Sequence, residues 1–73
     1  GKPARADMRQ QWLADEIAGG RGVNRNILMR QFGCSRDTAG RDIARLVNEH
    51  PDLLVYDANE KVHKPKQPQR EAA

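Results

Sequence analysis

Apolar residues recur at helical spacing in the first part of the chain. The apolar positions that share one helical face are Met8, Trp12, Leu13 and Ile17. The polar positions expected to point into solvent are Arg9, Gln10, Asp15 and Glu16. This pattern predicts an amphipathic packing helix from Pro3 to about Ala18, with Trp12 in the core and Gly19-Gly20 as the stop.

A second helix is predicted over residues 25–32. Asn24 precedes it, and an Asn side chain there can accept from the free amides of the first turn. Leu28 and Phe32 are four residues apart and should face the core. Gly33 is expected to end the helix, because glycine readily takes the positive φ of a helix end.

A third helix is predicted from the cap residue Ser35 to about Glu49, since the residue before Pro51 resists the α conformation. Its apolar stripe is Ala39, Ile43, Leu46 and Val47. Its outward positions are Asp37, Arg41, Ala44, Arg45 and Asn48. Two helices joined by a short turn that contains glycine are typical of a helix-turn-helix.

The hydrophobic pattern changes after Pro51. Residues 53–56 are β-prone, residues 57–60 have turn composition, and residues 61–63 return as a strand. We expect a hairpin in which Val55 faces Val62. Because a lone hairpin is marginal in water, it should lean on the helices.

These elements predict a mainly α fold with a small β-hairpin, a three-helix winged helix-turn-helix over residues 1–63. Val23 is expected to add a brief strand between the first two helices, and the Tyr56 ring is expected to cover the core. Residues 64–73 are predicted to be a flexible, basic, Pro-containing tail, equally suited to be a linker or a DNA-gripping arm.

Composition narrows the functional classes. The chain has 73 residues, 37% of them hydrophobic, which leaves little room for a buried catalytic cavity. A single Cys34, expected as an apolar plug under the turn rather than a redox switch, excludes an internal disulfide. His50 and His63 lack metal-ligand spacing, so no metal, cofactor or enzymatic activity is expected. No apolar run approaches the roughly 20 residues that cross a membrane, so no membrane partner is expected.

The net charge is only +3, but the basic residues are concentrated. The stretch 61–70 contains no acid, and arginines recur through the middle of the chain at positions 21, 25, 30, 36, 41 and 45. A basic concentration of this kind suits a polyanion such as nucleic acid, although an ordinary solvated surface gives the same count.

The joint between the second and third helices has a specific sequence, Phe32-Gly33-Cys34-Ser35, then Thr38 and Arg41-Asp42-Ile43. Residues 23–63 resemble the winged helix-turn-helix of DeoR-type bacterial regulators, whose joint reads Phe-x-Val-Ser-x-x-Thr-x-Arg-Arg-Asp-Leu. The segment from His50 to Asp57, followed by Lys61, is still more similar to the DNA-binding head of WYL-domain regulators. Gly40 departs from the pattern, because DeoR-type heads usually have Arg there.

The resemblance implies a sequence-specific double-stranded DNA-binding domain of a bacterial or phage regulator. Regulators of the WYL type are repressors of phage-defence and stress genes, so repression is expected as well. The third helix would lie in the major groove. A homodimer contact and a C-terminal effector domain are expected in regions outside this sequence, and the location is expected to be the cytoplasm, at the nucleoid when DNA is bound.

The residues expected at the DNA are Asn24, Arg25, Ser35, Arg36, Asp37, Thr38, Gly40, Arg41, Arg45, Lys61, His63 and Lys64. Arg36 and Arg41 would contact bases or phosphates, because an Arg fork matches guanine. Ser35 and Asn24, near helix N-termini, suit phosphates. The three wing residues would grip an adjacent backbone or minor groove.

Alternatives remain at several positions. Arg36 and Arg41 could instead pair with Asp37 and Asp42 on a solvated surface. Asp42 is expected to be structural, whereas Asp37 could favour the helix start or accept from a cytosine amine. A winged helix used as a protein-interaction module would show apolar residues on the exposed face of the third helix. An RNA or single-strand binder would need more aromatic residues on an open surface.

Overall fold

A computed structural model of the protein describes residues 5–66, which form three helices followed by a two-stranded antiparallel hairpin. The elements are α1 (Ala6–Ala18), α2 (Arg25–Phe32), α3 (Arg36–Glu49), β1 (Leu54–Asp57) and β2 (Val62–Pro65). The predicted winged helix-turn-helix architecture is confirmed. The first helix was predicted to start at Pro3, but Arg5 is extended and the helix begins at Ala6, so the predicted start is wrong at Arg5; Pro3 itself lies outside the described residues.

The helix ends follow local sequence. The Asn24 side chain accepts from the Ile27 amide at 2.8 Å, and α2 ends where Gly33 takes a φ of 68°. The Ser35 hydroxyl accepts from the Thr38 amide at 3.1 Å and so opens α3. The capping roles predicted for Asn24, Gly33 and Ser35 are confirmed.

The core lies where the three helices meet. Its fully buried large side chains are Leu13, Val23, Leu28 and Leu46. Ala39 and Ile43 of α3 are also buried, which confirms the predicted stripe. Trp12 packs its ring edge-on to Phe32, with 5.6 Å between the ring centres. The prediction that Met8 belongs to this face is wrong, because its side chain lies in the first turn of α1 and is 54% exposed.

A polar contact joins α1 to α3. The Arg9 guanidinium donates to the Asp42 carboxylate, and the Gln10 amide donates to the Asp42 carbonyl oxygen at 2.8 Å. The prediction that Arg9 and Gln10 point into solvent is therefore wrong, because this polar flank of α1 lies against α3. The hydrogen bond to Asp42 also raises the pKa of Arg9. The structural role predicted for Asp42 is confirmed.

The hairpin has a different register from the predicted one. Val55 pairs with Lys64 and Val62 pairs with Asp57, so the prediction that Val55 faces Val62 is wrong. The Asp57 carboxylate sets this register, because it accepts from the amides of Asn59 and Glu60 and shapes a four-residue loop. Val62 is buried, whereas Val55 is exposed.

A third segment supports the hairpin. Val23 and His63 exchange two backbone hydrogen bonds of 2.8 Å, which confirms the brief strand predicted at Val23. Strand β2 continues through Pro65, and the Lys66 amide donates to the Leu53 carbonyl. Ordered pairing thus extends beyond position 64, where the tail was predicted to begin; residues 67–73 of that tail lie outside the described residues.

Replacing Asp42 with Ala should lower the free energy of unfolding by about 3 kcal/mol, because it breaks a largely buried ion pair by removing one of its two charges. The side chains of Arg9 and Asp42 are only 12% and 8% exposed. Glu49→Ala is the matched control, since it removes another ion-paired carboxylate of α3, and its exposed pair with Arg45 is worth about 0.5 kcal/mol or less. Urea denaturation measures both, and equal losses would contradict the structural role of Asp42.

Candidate DNA-binding surface

Helices α2 and α3 and the hairpin enclose a cleft of about 220 Å³, here called the wing cleft. Its lining residues are Asn24, Arg25, Asn26, Arg36, Ile43, Tyr56, Lys61 and His63. Two arginines, a lysine and a histidine face this space, and none of the lining residues is acidic. A concave surface with this charge suits an anionic group such as a DNA phosphate.

The exposed side of α3, here called the recognition face, carries Asp37, Arg41, Ala44, Arg45 and Asn48. All five are exposed, as predicted. Arg45 pairs with Glu49 at 3.1 Å across one helical turn, which is a weak surface contact. Within residues 5–66, Arg36 and Arg41 make no ion pair. The alternative that Arg41 pairs with Asp42 is wrong, because Asp42 binds Arg9 instead.

A second depression joins the recognition face to the wing cleft. Ala44 and Asn48 of the recognition face line it together with Arg25, Ile43 and His63 of the wing cleft. Gly40 lies in its wall as well. The two surfaces are therefore neighbours on one side of α3, and a single ligand could contact both.

Asn24, Ser35 and Thr38, which were expected at DNA, are held by hydrogen bonds at the starts of α2 and α3. The Asn24 oxygen caps α2, and its nitrogen donates to the Lys61 carbonyl at 2.8 Å. The Ser35 hydroxyl accepts from the Thr38 amide and donates to the Thr38 hydroxyl at 3.0 Å. The Asn24–Lys61 bond was missed by sequence reasoning, because it joins residues 37 positions apart.

The wing residues differ in how firmly they are held. The Lys64 ammonium lies 2.7 Å from the Asp57 carboxylate, which raises the pKa of Lys64 and, with the Glu60 amide, lowers the pKa of Asp57. Lys61 sits at the end of the hairpin loop with a φ of 61° and is exposed. Lys61 is thus available to a ligand, whereas Lys64 is tied to the hairpin.

His63 projects beside Tyr56. Their rings are 4.9 Å apart and tilted by 57°, and the two residues pair across the hairpin. Partial burial lowers the pKa of His63. Tyr56 is 51% exposed, so the prediction that its ring covers the core is wrong; the buried residue that β1 contributes is Leu54.

Residues 17–70 match the family described as the BrxR transcriptional regulator winged helix-turn-helix domain. The chain belongs to this family. The match contains the whole of α2, α3 and the hairpin, and therefore both the wing cleft and the recognition face. No curated protein matches the chain.

Membership of the BrxR family confirms the prediction of a winged helix-turn-helix domain of a DNA-binding transcriptional regulator. The match is to BrxR regulators and supports neither the DeoR-type nor the WYL-domain assignment. Across residues 5–66 no helix is long and apolar enough to span a bilayer. In the same segment no group of three His, Cys, Asp or Glu residues is placed to hold a metal ion.

Lowering the pH should destabilise the domain through His63. Because its folded pKa lies below the ordinary value of 6.5, the unfolded chain takes up a proton more readily, and stability falls as the pH drops through that value. Urea unfolding at about pH 7.5 and about pH 5.5 measures the effect. His63→Gln should remove this component, and the control His50→Gln should retain it. An identical pH dependence for native and His63→Gln protein would contradict the assignment.

Proposed function

We propose that this domain is the sequence-reading head of a transcriptional repressor and binds double-stranded DNA. The recognition face of α3 enters the major groove, and the wing cleft takes a phosphate of the adjoining backbone. The observation that carries this proposal is the second depression, which joins the wing cleft, lined by Arg36 and Lys61, to the recognition face, which carries Arg41. Within residues 5–66 none of these three side chains makes an ion pair.

The dimensions and side chains of α3 support the groove placement. Its 14 residues span roughly 21 Å, and the major groove is wide enough to admit an α-helix. Ala44 is small and exposed, so this side of the helix can come close to a backbone. Arg41 lies between Ala44 and Arg45 around the helix, where its fork could meet a guanine edge.

The remaining residues take supporting roles in this proposal. Thr38, in the first turn of α3, contacts a base or presses its methyl group on thymine. Ser35 and Asn24 present backbone amides near helix starts to phosphates. Asp37 accepts from a cytosine amine or favours the helix start. Arg25 and Arg45 neutralise phosphates, and Lys61, His63 and Lys64 lie along the wing.

We further propose that the parent regulator acts in the cytoplasm at the nucleoid, as a homodimer on an inverted repeat, with an effector domain outside this sequence. Repression would follow from occupancy of the operator. A protein-interaction module would instead need apolar residues on the exposed face of α3, where Ala44 stands alone among charged and polar side chains.

Arg41→Ala should weaken binding to the preferred duplex by about 1–3 kcal/mol and relax base preference at one position. The preferred duplex is first enriched from random sequences, and affinity is then measured by fluorescence anisotropy at two salt concentrations. Lys61→Ala should weaken binding evenly on all sequences and reduce the salt slope by about 1.

The control is Arg30→Ala, which removes the same charge from the last turn of α2, outside both surfaces. It should change neither base preference nor the salt slope. If Arg41→Ala keeps the affinity and preference of the native chain, α3 does not read the groove. If no sequence is enriched from the random pool, the proposed sequence specificity is wrong.

A further inference from the structure

Gly40 interrupts α3 at a position where the backbone gives no reason for glycine. It lies in the middle of the helix and its φ is not positive. A Cβ at this position would lie 3.3 Å from Cδ and 3.8 Å from Nη1 of Arg25, with no other side chain and no backbone of a neighbouring element within 4 Å. Helix packing therefore does not require glycine here, and the feature that uses the space is one arginine side chain.

Glycine is the poorest helix former after proline, so its presence inside α3 weakens the helix. Close packing of another backbone against Gly40 would offset that loss, but there is none. The α2 backbone leaves room for a Cβ at position 40, and the group that comes near is the Arg25 side chain. The arginine side chain is flexible, but its Cδ now lies 3.3 Å from the point where a Cβ of residue 40 would stand. A longer side chain at position 40 would displace it.

The path of Arg25 leads to the surface that faces DNA in the proposed function. Arg25 is the first residue of α2 and lines both the wing cleft and the second depression. Its side chain crosses α3 at Gly40, one turn after Arg36 and one turn before Ala44, which share that side of the helix. Among residues 5–66 Arg25 has no ion-pair partner, and neither depression is lined by an acid.

We infer that Arg25 and Gly40 act as one unit, in which the missing side chain at 40 lets an arginine from α2 present its guanidinium on the edge of α3 to a DNA phosphate. This inference rests on the proposed function. A guanidinium binds phosphate oxygens through two parallel hydrogen bonds, and the Arg25 side chain that carries it starts on α2 and passes beside Gly40 of α3. Gly40 is thus a positioning residue, and Arg25 makes the contact.

The test is a double-mutant cycle with Arg25→Ala and Gly40→Gln. Arg25→Ala should weaken duplex binding on the order of tenfold on all sequences and lower the salt slope by about 1. Gly40→Gln should cause a similar loss, because glutamine occupies the path of Arg25, while its better helix propensity preserves the fold. The double variant should bind no more weakly than either single variant, since both changes remove the same contact.

A variant with the arginine moved to position 40 tests whether duplex affinity can be restored. In Arg25→Ala/Gly40→Arg the guanidinium comes from α3 itself, so most of the lost affinity and the lost salt slope should return. Arg30→Ala is the charge-matched control on α2. Circular-dichroism melting of each variant confirms that it is folded before its affinity is compared.

The outcomes separate this inference from the function on which it rests. Strictly additive losses in the cycle, or native affinity in Gly40→Gln, would overturn the coupling of Arg25 to Gly40, as would the absence of recovery in the relocated variant. If the native chain binds duplexes and Arg41→Ala weakens that binding, while Arg25→Ala and Gly40→Gln each bind as tightly as Arg30→Ala, the inference alone fails. If the native chain shows no salt-dependent duplex binding, both the inference and the proposed function are wrong.

Discussion

The rotation of α3 about its own axis decides which residues of the domain can meet a partner. Ala39, Ile43 and Leu46 hold the helix against the core, but apolar contact has little directional preference. The bonds from Arg9 and Gln10 to Asp42 are directional, and they join two points of α1 to one residue of α3. Arg41 precedes Asp42, so it is turned about 100° away from this contact and lies in solvent.

The hairpin and the start of α2 are fixed to each other by a second group of contacts. Asn24 caps α2 with its oxygen and holds the Lys61 carbonyl with its nitrogen. Next to it, Val23 pairs with His63, so β2 has hydrogen-bonded neighbours on both sides. A hairpin alone would be only marginally stable, and this third strand segment gives it the support that it needs. The walls of the wing cleft are thereby kept at a defined distance.

The features predicted correctly from the sequence are those that local chemistry determines. Asn24, Gly33 and Ser35 end or begin helices through bonds to residues a few positions away, and periodicity is enough to identify the buried stripe of α3. Periodicity places Arg9 off the apolar face of α1, but it cannot show which helix will pass beside Arg9. The prediction of the hairpin register was wrong for a related reason, since the register depends on the loop that the Asp57 carboxylate stabilises.

The candidate site divides in the same way. The outward side of α3 follows from its helical pattern, so Arg41 and Arg45 were placed correctly. The wing cleft requires α2 to cross α3 at a particular point, and nothing near Arg25 in the sequence indicates that its side chain will rest on Gly40. The contact between the Tyr56 and His63 rings likewise follows from strand pairing, which was predicted two residues out of register.

The distribution of ion pairs explains how a net charge of only +3 can produce a strongly basic surface. Three acids are paired with bases: Glu16 with Arg21 after α1, Asp42 with Arg9 between α1 and α3, and Asp57 with Lys64 in the hairpin. These pairs cancel much of the charge away from the wing cleft, whereas Arg25, Arg36 and Lys61 around it lack acidic partners within residues 5–66. A duplex that approaches this side meets cations that line one cleft, so the local field and not the net charge governs the encounter.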